Sequence, residues 1–90
     1  MPLSIRQSSR FRRDIKRIKR QGKDTAQLEF IIKTLVVPEP LAEKYRDYAL
    51  VGNWKGFREC HIQPDWLLIY RIEGDELQLA RTGSHAELFG

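Results

Sequence analysis

The chain has 90 residues and a net charge of +4, so we expect residues 1–90 to form a single domain. Hydrophobic residues make up 41% of the sequence and charged residues 31%, a balance that excludes wholesale disorder. The lack of a long apolar run excludes a membrane span, and the single cysteine excludes an internal disulfide, so a cytoplasmic protein with no membrane partner is expected.

The first predicted elements are a short strand and a basic helix. Residues 3–6 alternate apolar and polar side chains, as a half-buried strand does. Ser8 or Ser9 can cap the helix that follows, and residues 21–23 end it. The apolar positions that form its buried stripe are Phe11, Ile15 and Ile18.

Positive charge is concentrated in this helical region. Residues 1–23 carry nine lysines and arginines against one acid, whereas the other residues carry seven against eleven. Such a face is typical of a protein that binds a polyanion, although a solvated helix face gives a similar pattern. We favour nucleic acid as the partner. The residues expected to bind its phosphate backbone are Arg12, Arg13, Lys16 and Arg20.

A second helix is predicted directly after the first, so the two should form an antiparallel hairpin. Asp24 or Thr25 can cap this helix, and Pro38 ends it. Its buried stripe comprises Leu28, Ile31, Ile32 and Leu35. An irregular stretch is then expected from residue 38 to about residue 52.

Three strand-like runs complete the chain, at residues 54–62, 66–72 and 77–82. Because short turns join them, they should form an antiparallel meander. The predicted fold class is α+β in the order β-α-α-β-β-β, with both helices on one face of a small, mainly antiparallel sheet. The other face is left for a concave site, and the partner and direction of the first strand stay open.

The two histidines are the strongest chemical signal in the sequence. His61 and His85 each lie within four residues of an arginine and close to a carboxylate. Histidine is the side chain that exchanges protons most readily near neutral pH. A site that cleaves a phosphodiester needs this exchange together with fixed positive charge. The sequence therefore contains the parts of a nuclease.

Each candidate residue also has a structural alternative. His61 could satisfy a backbone carbonyl at a strand end, His85 could be an exposed tail residue, and Asp65 could simply begin a turn. The cations that could bind phosphate or form ion pairs are Arg58, Arg81 and Lys55. The aromatic residues that could stack on bases or belong to the core are Tyr48, Trp54, Trp66 and Phe89.

A metal site is not indicated. Two histidines and isolated acids lack the close ligand spacing that zinc and similar ions require. We expect neither a metal nor another cofactor.

Two segments, GNWKGFRECHIQPDWLLIY at residues 52–70 and RTGSHAELFG at residues 81–90, resemble the YafQ-type branch of the RelE/ParE toxin superfamily. The resemblance covers essentially the whole chain and implies a RelE-like fold. It also implies a bacterial type II toxin that enters the A site of the 70S ribosome and cuts mRNA. A cognate antitoxin would silence the toxin, and contact with operator DNA would be indirect, through that antitoxin.

The resemblance implies roles for individual residues. His85 matches the main catalytic histidine, and His61 and Asp65 match a supporting histidine and aspartate. Arg81 matches the cation that steadies the phosphate. The remaining matches are Phe89, a terminal aromatic near the site, and Glu59, a nearby acid.

The chain departs from the family pattern at Tyr48, where a further active-site histidine stands in the YafQ-type pattern. A phenol can donate a hydrogen bond or stack on a base, but it is a poor base at neutral pH. Proton transfer at that position is therefore in doubt.

The expected reaction is attack of an RNA 2′-OH on the adjacent phosphorus, which leaves a 2′,3′-cyclic phosphate and a 5′-OH. Asp65 or His61 would assist deprotonation, His85 would protonate the leaving oxygen, and Arg81 would neutralise the developing charge. Two alternatives stay open: a ParE-like inhibitor of DNA gyrase, and a non-catalytic nucleic-acid-binding module of the same fold.

Overall fold

The computed structural model describes residues 2–90. Its strands and α-helices are β1 (Ser4–Gln7), α1 (Ser9–Arg20), α2 (Thr25–Val36), β2 (Tyr48–Ala49), β3 (Arg58–Gln63), β4 (Trp66–Glu73), β5 (Glu76–Gly83) and α3 (His85–Phe89). Two short 3-10 turns, Glu43–Tyr45 and Gly52–Trp54, flank β2. None of the helices within these residues is long and apolar enough to cross a membrane.

The five strands form one sheet in the order β1-β5-β4-β3-β2. β1 runs parallel to β5, whereas the other neighbouring pairs are antiparallel. This pairing settles the direction of the first strand, which the sequence left open. β1 ends opposite Leu79, so the last residues of β5 have no neighbouring strand on that side. The start of α1 covers this edge, where Ser8 Oγ donates to the carbonyl of Ala80.

The main core lies between the two long helices and one face of the sheet. Phe11 and Ile18 of α1 are buried there, and Ile15 packs against them half-buried, as the spacing predicted. The buried side chains that complete this core are Leu28, Ile31, Leu35, Cys60, Ile62, Trp66, Leu68, Tyr70, Leu77 and Leu79. The capping oxygens are those of Ser8 for α1 and Asp24 for α2.

A smaller apolar cluster covers part of the opposite face. Leu67 and Ile69 of β4 are fully buried there beneath Leu88 of α3. The loop after β2 adds Trp54 and Phe57, whose rings meet edge to face with centroids 5.3 Å apart. The face is therefore not open along its whole length, and the remaining free part lies towards the ends of β3 and β5.

The α+β prediction is confirmed, and three local expectations are wrong. Trp54 does not begin a strand, because the positive φ of 94° at Gly56 breaks the extended run and β3 starts only at Arg58. The stretch from residue 38 to residue 52 contains β2, which pairs with β3. The C-terminal residues form α3, whose N-terminus is closed by a reciprocal capping box between Ser84 and Glu87.

Candidate active site

Strand alternation places His61 on the sheet face opposite the long helices. Its neighbours Cys60 and Ile62 point into the main core, so His61 faces the other way. Glu59 shares that face and pairs across the strands with Tyr48 of β2. The aromatic side chain of Tyr48 meets the imidazole of His61 edge-on, with ring centroids 6.2 Å apart.

One ring nitrogen of His61 has a fixed role. Its Nδ1 lies 3.1 Å from the carbonyl oxygen of Arg46, a residue held in the left-handed conformation at φ 43°. A carbonyl oxygen can only accept, so Nδ1 must carry the hydrogen. Neutral His61 therefore has its lone pair on Nε2, the arrangement of a ring that can remove a proton.

His85 is held by Asp65, which lies in the turn between β3 and β4. One carboxylate oxygen of Asp65 accepts from His85 Nδ1 at 2.7 Å and from the His85 backbone N–H at 2.9 Å. These hydrogen bonds lower the pKa of Asp65, first through the backbone N–H and then through the ring. Asp65 is thus an acceptor at neutral pH, and Nε2 of His85 is left for the substrate.

Four rings form a row across this end of the sheet. The His61 and His85 centroids are 5.7 Å apart, and Phe89 follows His85 at 6.5 Å. Tyr48 stands at the other end of the row, and its side chain is about half exposed. The structure therefore brings together five of the predicted site residues, those four aromatic residues and Asp65. A cavity of about 320 Å³ opens beside His61.

Arg81 forms an ion pair with a buried carboxylate. Asp14 of α1, with 2% of its surface exposed, accepts from Arg81 Nε at 2.7 Å and from Nη2 at 3.1 Å. The same carboxylate accepts from Arg17 Nη1 at 2.8 Å and from the Thr82 N–H at 3.1 Å. Burial raises the pKa of Asp14, but the hydrogen bonds from Arg81, Thr82 and Arg17 outweigh it and leave the pKa below its ordinary value.

The cations Arg58 and Lys55 lie outside the row of rings. Arg58 is on the helix-covered face with Cys60, where its Nε donates to Asp47 at 2.6 Å. Tyr70 also donates to Asp47, so these three side chains form a structural cluster. For Arg58, this geometry matches the ion-pair alternative rather than contact with substrate. Lys55 is exposed at the end of the 3-10 turn and is not part of β3.

The four cations predicted to bind RNA backbone are all exposed on α1. They are Arg12, Arg13, Lys16 and Arg20. Their outward placement follows from the inward stripe of Phe11, Ile15 and Ile18.

Three features that shape the site were missed in the sequence analysis. Asp14 follows Phe11 by three positions and precedes Ile18 by four, and this spacing on the buried face was the signal that it points inward. Ser84 followed by Glu87 is a capping-box pattern that could have predicted α3. The carbonyl of Arg46 had no such signal, because any residue could supply it.

The site offers Nε2 of two oriented imidazoles for proton transfer. No group of three or more His, Cys, Asp or Glu in residues 2–90 is close enough to bind an ion. Nδ1 of each imidazole and Oδ1 of Asp65 are already engaged. Nε2 of each imidazole and Oδ2 of Asp65 have no hydrogen-bond partner within residues 2–90.

The family follows from comparison with known proteins. Residues 3–90 match the sequence model of a family described as bacterial toxin of type II toxin–antitoxin system, YafQ. The chain belongs to this family. It is the toxin of a type II toxin–antitoxin system.

Relatives of known structure agree over the whole domain. The chain is 39% identical over 87 residues to the mRNA interferase toxin YafQ of Escherichia coli K12, covering 96% of this chain and 95% of that protein. A copper-bound mutant toxin from Helicobacter pylori is 45% identical with a TM-score of 0.93, covering 97% and 99% of the two chains. YafQ in the E. coli DinJ–YafQ complex is 37% identical with a TM-score of 0.92 and full coverage of both.

Proposed function

We propose that this YafQ-family toxin is an mRNA interferase that cleaves mRNA on the ribosome by internal attack of the 2′-OH. The observation that carries the proposal is the pair of imidazoles 5.7 Å apart, each with Nδ1 bonded to a protein acceptor. Each ring therefore has Nε2 available for the substrate. A pair of this kind can take one proton and give another in the same reaction.

His61 acts as the base in this scheme. The hydrogen bond from Nδ1 to the Arg46 carbonyl keeps the lone pair of the neutral ring on Nε2. Nε2 accepts the 2′-OH proton while the 2′ oxygen forms its bond to phosphorus. Asp65 is less suited to this duty than the sequence implied. Its Oδ1 already accepts two hydrogen bonds from His85, and its lowered pKa makes it a weaker base.

His85 acts as the acid. Protonated at Nε2, it gives that proton to the 5′ oxygen as the bond from phosphorus to that oxygen breaks, leaving a 2′,3′-cyclic phosphate and a 5′-OH. Asp65 holds the ring through Nδ1, as the carboxylate of a catalytic triad orients its histidine. Arg81 lies on β5, two strands from the β3 strand that carries His61, and its fixed positive charge stabilises the additional negative charge on the phosphorane.

The other partners follow from the family and the charge distribution. The E. coli relative forms a complex with DinJ, and we propose that a cognate antitoxin binds this chain in the same way. Operator DNA is then contacted through that antitoxin. The exposed cations of α1 bind ribosomal RNA phosphates in the A site of the 70S ribosome, which makes binding steeply dependent on salt.

The test is an in vitro cleavage assay on ribosomes carrying a defined mRNA. We expect discrete cuts that leave a 2′,3′-cyclic phosphate and a 5′-OH, and no cut where the attacking nucleotide is 2′-deoxy. Selective chelation of copper and zinc, with magnesium kept to preserve the ribosome, should leave the rate unchanged. Cleavage of deoxy-substituted mRNA, or intact mRNA together with broken DNA as a gyrase inhibitor would give, would contradict the proposal.

A further inference from the structure

A second concave surface lies beside the row of rings, and the reaction scheme uses only one of its residues. This groove has a volume of about 420 Å³ and is lined by Arg10, Arg13, Asp14, Arg17 and Arg81. The five lining residues carry a net charge of +3, and Glu87 beside Arg17 lowers the local charge to +2. Such a surface attracts an anion.

We propose that this groove binds a phosphodiester group of the RNA next to the one that is cleaved, and that Asp14 fixes its geometry. The inference rests on the proposed function, since it takes RNA as the substrate of the neighbouring site. It differs from attraction by an exposed basic helix because the groove is organised around a buried group.

The organisation begins with the four hydrogen bonds that Asp14 accepts. One carboxylate oxygen accepts from Arg17 Nη1 and Arg81 Nη2, and the other accepts from Arg81 Nε and the Thr82 N–H. A carboxylate has about four lone-pair positions, so Asp14 has none left to accept a further hydrogen bond. The guanidinium groups of Arg17 and Arg81 are therefore held side by side by the same carboxylate.

The edge of Arg81 that stays free is the one that suits phosphate. Asp14 takes Nε and Nη2, whereas Nη1 has no hydrogen-bond partner among residues 2–90. The free hydrogens of Nη1 and Nη2 form the planar fork with which arginine binds phosphate oxygens. Since the side chain is only 15% exposed and held at two atoms, this fork is preorganised.

Arg10 and Arg13 supply the remaining positive charge. Both are exposed, and neither forms an ion pair with another residue in the described part of the chain. Arg17, by contrast, already has protein partners. Its Nη2 donates to the Thr82 carbonyl at 2.9 Å, and its Nε lies 3.0 Å from a carboxylate oxygen of Glu87. The groups available to a ligand are therefore Arg10, Arg13 and the fork of Arg81. Arg17 lines the groove but is already paired.

Arg81 connects the groove to the sheet that carries the row of rings. Arg81 pairs with Ile69, two register positions along the strands from Gly83, which pairs with Leu67. Leu67 in turn pairs with His61 on its other side. A single strand of RNA with one phosphate at the imidazoles can thus place a neighbouring phosphate at Arg81. An acidic peptide of a protein partner is the competing ligand, and the test separates the two.

The experiment measures how tightly a short 2′-O-methyl RNA oligonucleotide, which cannot be cleaved by 2′-OH attack, binds the purified chain. We expect Arg10→Gln with Arg13→Gln to lower affinity about tenfold or more. The slope of log affinity against log salt should fall by about 0.7 for each phosphate that the variant no longer neutralises. The control is Arg6→Gln with Lys33→Gln, which removes the same charge from exposed positions outside the groove and outside α1 and should change affinity little.

A further variant separates geometry from charge. Asp14→Asn removes a negative charge, so simple electrostatics predicts tighter binding of the oligonucleotide. The groove proposal predicts weaker binding, because the fork of Arg81 loses its anchor. Thermal unfolding first establishes that this variant is folded, and the two double variants decide the proposal if it is not.

Equal losses in the two double variants would overturn the proposal in favour of non-specific attraction. Unchanged affinity in the Arg10 and Arg13 variant would overturn it as well, even if that variant bound the antitoxin more weakly. Because the probe is not cleaved, a chain that binds it in the groove but cuts no mRNA would contradict the proposed function and leave the groove intact.

Discussion

Two aspartates, Asp65 and Asp14, serve the same end of the sheet in opposite environments. Asp65 is exposed in a turn, and within residues 2–90 it hydrogen-bonds only to His85, through the ring and the backbone N–H. Asp14 is buried and accepts four hydrogen bonds from three residues. An exposed carboxylate with one partner can orient a reactive ring at little structural cost, whereas a buried one must be fully satisfied and so becomes part of the fold.

We expect the exposed pair of Asp65 and His85 to determine the rate of mRNA cleavage. Replacing His85 with alanine should lower single-turnover cleavage about 10²–10⁴-fold, the usual contribution of a general acid. The melting temperature should stay near that of the wild type, because the side chain is about half exposed. Retained cleavage by a folded variant would remove His85 from the acid role.

We expect buried Asp14 and its hydrogen-bond donors to determine the free energy of unfolding. Asp14→Ala leaves two guanidinium groups and the Thr82 N–H without their acceptor, and we expect it to cost about 3–5 kcal/mol of unfolding free energy. Asp65→Ala should leave the urea midpoint nearly unchanged while it slows cleavage. Urea titration of both variants measures this difference in stability. Similar midpoint shifts for the two variants would contradict the different roles of Asp14 and Asp65.

Acid should weaken the buried region. The pKa of Asp14 in the folded chain lies below its ordinary value of 3.8, so its stabilising effect is fully present above that value. That effect is lost as the pH falls through the lower, folded value, because protonation removes the charge that the two arginines require. Urea midpoints measured from neutral pH downward should fall more steeply for the wild type than for a folded Asp14→Asn variant. Parallel curves would exclude Asp14 as the group responsible.

The smallest expected effect is at Tyr48. Its ring packs edge-on against His61, while its hydroxyl has no partner among residues 2–90. Tyr48→Phe should therefore keep cleavage within about threefold, since only ring contact is used. Tyr48→Ala should slow it further. A loss in the phenylalanine variant as large as that in His85→Ala would mean that the hydroxyl itself transfers a proton.

Much of the fold could be predicted from the sequence because local signals agree. The stripe of Phe11, Ile15 and Ile18 and the caps of both helices were visible in residue spacing, and the meander followed from short turns. The parallel pairing of β1 with β5 could not be predicted, because it depends on where the helical hairpin returns the chain. The break at Gly56 was hidden because the aromatic residues on either side, Trp54 and Phe57, favour a strand.

The candidate site was predictable in its residue types and less so in its contacts. Both histidines stood out because their proton chemistry is rare in the sequence. The hydrogen bond from His61 to the Arg46 carbonyl involves backbone, and backbone contacts between distant segments give no sequence signal. Asp14 was visible as an acid on an apolar stripe, but its link to Arg81 spans 67 positions and required the structure.

The most direct test of the two histidine roles is the pH dependence of single-turnover cleavage in the wild type, His61→Gln and His85→Gln. A base must be unprotonated and an acid protonated, so the wild-type profile should rise and then fall with increasing pH. We expect the glutamine variant at His61 to lose the dependence on the acidic side and that at His85 to lose it on the alkaline side. Variants that are slower but keep both sides of the profile would contradict the assignment of the two imidazoles as base and acid.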